Sequence, residues 1–198
     1  AAVARRSRLY ELAPVKDMAR RGWIESSSSI DTLEQQIEEF FEIDSVDETP
    51  RLLQVASRQS ASYAKPTPAQ AAWLYRVLQM ARAIDALAFR KSHVGALIKD
   101  LRGMMANAED VRGVPGRLAE AGIRLVLLEH LPRTKLDGAT VWPTAQEPVV
   151  AVSTRYDRID HFWFTLMHEL AHVAAGDGKK NQWLLDNDLA DQSSEGAL

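Results

Sequence analysis

The chain has 198 residues, of which 46% are hydrophobic, and a net charge of −3 at pH 7; that is enough apolar material for one large domain or two small ones and gives no overall drive toward nucleic acid. Cysteine is absent, which excludes a disulfide framework and a thiolate metal site, so any metal must be held by His, Asp or Glu. No run approaches the roughly 18 apolar residues of a membrane span and no signal-peptide core is visible, so the expectation is a soluble, cytoplasmic protein with no membrane partner.

The chain opens on Ala1-Ala2 without a methionine, and we read it as a piece of a longer protein. Its first hundred residues read as helices. Arg5, Arg6 and Arg8, with Lys16, Arg20 and Arg21, read as a solvated basic face. Met18 to Arg21 stops at Gly22, and the polar break Ser26 to Ser29 precedes Asp31 and Glu34, whose spacing is that of a capping box. Leu33, Ile37, Phe40 and Phe41 follow as an apolar stripe. Gln54 to Lys65 reads as a loop. Thr67-Pro68-Ala69-Gln70 is a second box, with proline at the first helical position, ahead of Trp73, Leu74, Val77, Leu78, Ala81 and Ile84. Val94, Leu97, Ile98, Leu101 and Met104 continue the 3.6-residue period, and Val114 to Ala121 ends at Gly122.

Beyond Gly122 the period changes to that of strands. Ile123 to Leu128, Ala139 to Trp142 and Val149 to Val152 are expected strands, separated by turns at Pro132, Asp137-Gly138, Pro143 and Pro148. The expected architecture is α+β. A helical connector or partner region over 1–108 precedes a domain over 109–198, in which a three-stranded sheet carries one long helix and the C-terminus is cut short.

That helix holds the most informative residues of the chain, His168-Glu169-Leu170-Ala171-His172. Two histidines four apart project from one helical face, close enough for both ring nitrogens to reach one ion about 2 Å away. A glutamate between them can take a proton from water that the ion acidifies and pass it to the leaving amine of a peptide. With five histidines and thirteen glutamates in the chain, composition alone yields about 0.01 occurrences of this H-E-x-x-H pattern. The string lies in the proline-free apolar run from Asp160 to Ala175, which stops at Gly176, as a helix with a glycine cap would.

With those residues in place the chain resembles the ImmA/IrrE family of metallopeptidase-like proteins, in the form fused to an upstream Cro/C1-type (XRE-like) helix-turn-helix. Gly113-Val114-Pro115-Gly116-Arg117-Leu118-Ala119-Glu120-Ala121-Gly122-Ile123, Lys135-Leu136-Asp137-Gly138 and the stretch from Ser153 to His172 carry the resemblance, which covers residues 110 to 180; Leu9 to Phe41 is similar to the connector of such fusions. The resemblance implies a zincin-like, zinc-dependent metalloendopeptidase (H-E-x-x-H zincin) that cleaves or regulates a protein partner such as a transcriptional repressor or antitoxin. DNA would be met only through a helix-turn-helix not present in this chain. It also implies His168 and His172 as ligands, Glu169 as general base and then acid, and a third ligand from a following helix, best matched by Glu195. Asp186, Asp188 and Asp191 are fallbacks. Manganese is open beside zinc, as are a homodimer built on the helical half and a catalytically inactive regulatory or sensor module of a transcriptional regulator or toxin-antitoxin system.

The remaining candidates have narrower readings. Tyr156 could hydrogen-bond an oxyanion. His161, two turns or about 10 Å above His168, is expected at a cap or rim. Thr165 is expected to pack, and Phe162, Trp163 and Phe164 to be chiefly core. Trp142 is the aromatic expected to contact a peptide laid beside an exposed strand. His93 and His130 are expected at the surface or in turns.

Overall fold

The computed structural model of the chain describes residues 2–51, 66–155, 158–179 and 183–187; the expected loop at Gln54 to Lys65 lies outside them. They divide into two compact units, Ala1–Arg76 with Leu131–Thr134, and Val77–His130 with Lys135–Leu198. Among the described residues there are seven α-helices and one four-stranded sheet, so the α+β class is as expected. No described helix is long and apolar enough to cross a membrane.

The first unit is helical. It holds α1 (Ala2–Leu12), α2 (Val15–Arg20), α3 (Ile30–Phe41) and most of α4 (Pro68–Ala81). The stripe Leu33, Ile37, Phe40 and Phe41 is buried, and Phe41 meets Phe40 and Tyr75 edge to face at 5.1 and 5.0 Å. The cap of α3 corrects the expectation. Ser29, not Asp31, is the N-cap and accepts from the Thr32 amide at 3.3 Å, because the helix begins at Ile30 and a capping oxygen must precede the first turn. Asp31 and Glu34 instead take the Arg5 guanidinium, while Arg8 pairs with Asp47 at 2.9 Å and Arg20 with Asp17. These basic residues serve neighbouring acids on an exposed surface. The box before α4 is as expected: the Gln70 amide donates to Thr67 Oγ1 at 3.2 Å and the Thr67 amide to Gln70 Oε1 at 2.9 Å.

In the second unit, α5 (Val94–Met104) and α6 (Val114–Glu120) lead into β1 (Arg124–Leu128), β2 (Leu136–Val141), β3 (Val149–Ser153), α7 (Ile159–Ala175) and β4 (Trp183–Asn187). Gly122 makes the turn from α6 to β1 at φ +81°, and a Cβ there would stand 2.4 Å from the Phe89 Cα. Only glycine meets both demands.

Strand order is β1-β3-β2-β4, with β1 parallel to β3 and β2 antiparallel to β3 and β4. Two expectations are corrected here. The sheet has four strands rather than three, since Trp183–Asn187 pairs along β2. Asp137-Gly138 is no turn but lies within β2, where the register against β4 slips between Leu136 and Gly138. Such a bulge breaks strict alternation, so successive residues can face the same layer. Both do: Asp137 Oδ1 is 3.6 Å from His161 Nε2 of α7, and Gly138 lies against Thr165 and Glu169 of the same helix. Helix α7 packs on β2 and β3, burying Trp163, Leu166, Leu170 and Val173 against Ile123, Val150, Val152 and Leu118.

Candidate metal centre

The last two turns of α7 bring His168 and His172 together as their spacing requires. Their rings meet edge to face with centroids 4.7 Å apart, and the two Nε2 atoms are 3.1 Å apart. Two nitrogens bound to one tetrahedral zinc at 2.0–2.1 Å would be separated by about 3.3 Å, a spacing close to the one observed, which is also that of a hydrogen bond between the two rings. His168 also stacks on Phe164, centroids 6.4 Å apart and planes 26° from parallel.

The protonation of His172 follows from its outer partner. Asp177 Oδ2 is 3.0 Å from His172 Nδ1, and because an ionised carboxylate only accepts, Nδ1 carries the proton. In the neutral ring the Nε2 lone pair then faces His168, the tautomer a metal ligand needs. Asp177 reaches this position because α7 ends at Gly176, φ +85°, where the chain reverses and the amides of Gly176 and Asp177 donate to the His172 carbonyl at 2.8 and 2.9 Å. Its own carbonyl accepts from Trp142 Nε1 at 2.8 Å. Trp142 is therefore buried beneath the site, 1% exposed, and is not the peptide contact expected for it: the indole N–H is spent on holding the Asp177 turn.

Glu169 lies about 100° around the helix from His168, on the face toward β2, and is fully buried. Its Oε2 accepts from Thr140 Oγ1 at 2.7 Å, and the same hydroxyl lies 3.2 Å from the Glu169 carbonyl oxygen. A Cβ on Gly138 would stand 2.3 Å from Glu169 Oε1, so the glycine provides the space the carboxylate occupies. One buried acid is thus held by a strand hydroxyl and a strand glycine.

Further up the same face, His161 is half-buried, 9% exposed in its side chain, with Asp137 at 3.6 Å and Arg155 3.6 Å from the same carboxylate oxygen. Thr165 packs as expected. Phe164 does not join the core but is 44% exposed, because its angular position on α7 points away from the sheet. His93 is exposed, in a 3-10 turn.

Glu195, Tyr156, Asp188 and Asp191 lie outside the described residues; Asp186 has its backbone in β4, opposite Gly138. Among the described residues no group of three His, Asp or Glu is placed to hold a metal; the pair His168 and His172 stands with its outer carboxylate. Three residues escaped sequence reasoning: Asp177, Thr140 and Gly138. The available signals were a carboxylate directly after a glycine cap, a hydroxyl inside an apolar strand, and a glycine two residues before it. No family model, curated protein or solved structure matches this chain.

Proposed function

We propose that the second unit is a zinc-dependent peptidase acting on a protein partner, as the resemblance to the ImmA/IrrE family implies. The observation that carries the reading is the His168–His172 pair, its Nε2 atoms 3.1 Å apart and the His172 ring oriented by Asp177. His168 and His172 would hold the ion, with Glu195 as the third ligand the resemblance supplies. Zinc bound there supplies a Lewis acid, lowering the pKa of water to about 7 and polarising a carbonyl.

The chain's own residues do the rest. Asp177 keeps the His172 proton on Nδ1, and Thr140 keeps the Glu169 carboxylate in one orientation through its hydroxyl. Glu169 takes the proton of the attacking water as a C–O bond forms at the scissile carbonyl, then delivers it to the amide nitrogen as the C–N bond breaks. The partner is a transcriptional repressor or antitoxin, in keeping with the family.

Elemental mass spectrometry on the chain and on His168→Ala tests the site. About one zinc per chain, lost in the variant, is the expected result; no zinc in either overturns it. Glu169→Gln should keep the metal and abolish proteolysis. Cleavage retained in that variant would remove Glu169 from its role, and metal without cleavage of any partner would favour a regulatory module.

A further inference from the structure

Between α7 and the turn that follows α5, the second unit carries a cavity of about 730 Å³ whose wall includes Met105, Ile159, Trp163, Phe164, Met167 and His168. The cavity is partly open to solvent and has ample room for a large apolar side chain. Ile159, Phe164 and Met167 line the cavity from the side of α7 that adjoins the buried one, and Trp163, which belongs to the core, forms the boundary between them. Seven large apolar side chains are exposed among the described residues, and three of them, Met105, Ile159 and Phe164, stand around this cavity. Scattered apolar residues need no explanation, whereas these three gather at one concave site.

We infer that this cavity is a specificity pocket for one large apolar side chain, aromatic or branched aliphatic, of the polypeptide whose backbone passes the candidate metal centre. The inference rests on the peptidase reading and names the substrate class of the same site. Continuity with the site argues for that occupant. His168, one of the two described ligands, is itself part of the wall and stacks on Phe164, so a side chain seated there leaves its own backbone within a residue's length of the ion. Among the described residues no Lys or Arg stands in the wall to receive an acidic occupant. The other polar wall residue is Asp160, whose carboxyl the Arg158 hydrogen bond at 3.0 Å holds below the usual carboxylate range. Methionine on two sides adds a polarizable, adjustable lining that accepts several apolar shapes.

The test reads binding and cleavage separately. With 13C-methyl methionine in the full chain, Met105 and Met167 report the pocket and Met18, buried in the other unit, is the control. Titration with N-acetyl-phenylalaninamide should shift the first two signals saturably, N-acetyl-serinamide should not, and Ala106→Trp, which enlarges another residue of the wall, should weaken the response about tenfold or more. In parallel, the zinc-loaded chain is offered a positional peptide library, where large apolar residues at one position should be preferred over alanine by on the order of 10–200-fold. Silent methyls, with or without cleavage, overturn the pocket assignment, and cleavage with no apolar preference does so too. Shifting methyls with no peptide cleaved leave the pocket standing and remove the peptidase reading. Shifts produced by raising protein concentration alone would give the cavity to a second copy and overturn the inference.

Discussion

Gly138→Ala is the substitution for which the structure supplies the most detailed expectation. Gly138 is not among the glycines with positive φ, so alanine costs nothing in backbone conformation and the effect is steric. The new methyl would stand 2.3 Å from Glu169 Oε1, 2.8 Å from Thr165 Cγ2 and 3.0 Å from Glu169 Cδ. Restoring ordinary contact moves the Glu169 carboxylate by about 1 Å, in a fully buried position where it already accepts from Thr140. Overpacking of this kind costs about 1–3 kcal/mol, which for a chain of this size lowers Tm by roughly 2–12 °C. If Glu169 is the proton carrier, a 1 Å displacement also slows turnover by roughly 100-fold, while His168 and His172 keep their metal. A double-mutant cycle with Glu169→Ala isolates the clash, since removing the carboxylate leaves only the Thr165 methyl in the way. Urea unfolding of the four proteins should give a coupling of about 0.5–3 kcal/mol. Gly138→Ala with parental stability, or effects additive within about 0.5 kcal/mol, would refute the packing of Glu169 on β2.

Three further outcomes follow from the same geometry. Asp177→Ala removes the acceptor that orients His172 and should weaken zinc binding by roughly 10–100-fold, read by chelator competition; unchanged affinity would show that the ring is oriented without it. Thr140→Val keeps the shape of the side chain but takes the donor from a buried carboxylate, for an expected loss of about 1.5–3 kcal/mol in denaturant unfolding, and a stability equal to the parent would contradict the 2.7 Å bond. Gly122→Ala meets both a left-handed backbone at φ +81° and the Phe89 backbone at 2.4 Å. The conformational part alone is about 1–2 kcal/mol, so a thermal melt should fall by more than that term predicts.

What the sequence determined by itself was everything that depends on near neighbours along the chain. Helix existence followed from the 3.6-residue period; the box at Thr67 and Gln70 and the stops at Gly22, Gly122 and Gly176 followed from local hydrogen bonding and backbone sterics. The juxtaposition of His168 and His172 followed from helix geometry, because residues four apart share a face whatever lies across from them. Tertiary structure decided the rest. Asp31 and Glu34 were drawn to Arg5 of another helix. Gly138 became the floor beneath Glu169 instead of a turn, because β4, far along the chain, paired with β2 and fixed the register there. Trp142 went beneath the Asp177 turn, and His161 was drawn inward to Asp137 by a bulge that periodicity cannot reveal. Each of these turns on a partner tens of residues away, whose position depends on how sheet and helix share one core, and a one-dimensional pattern carries no such distance.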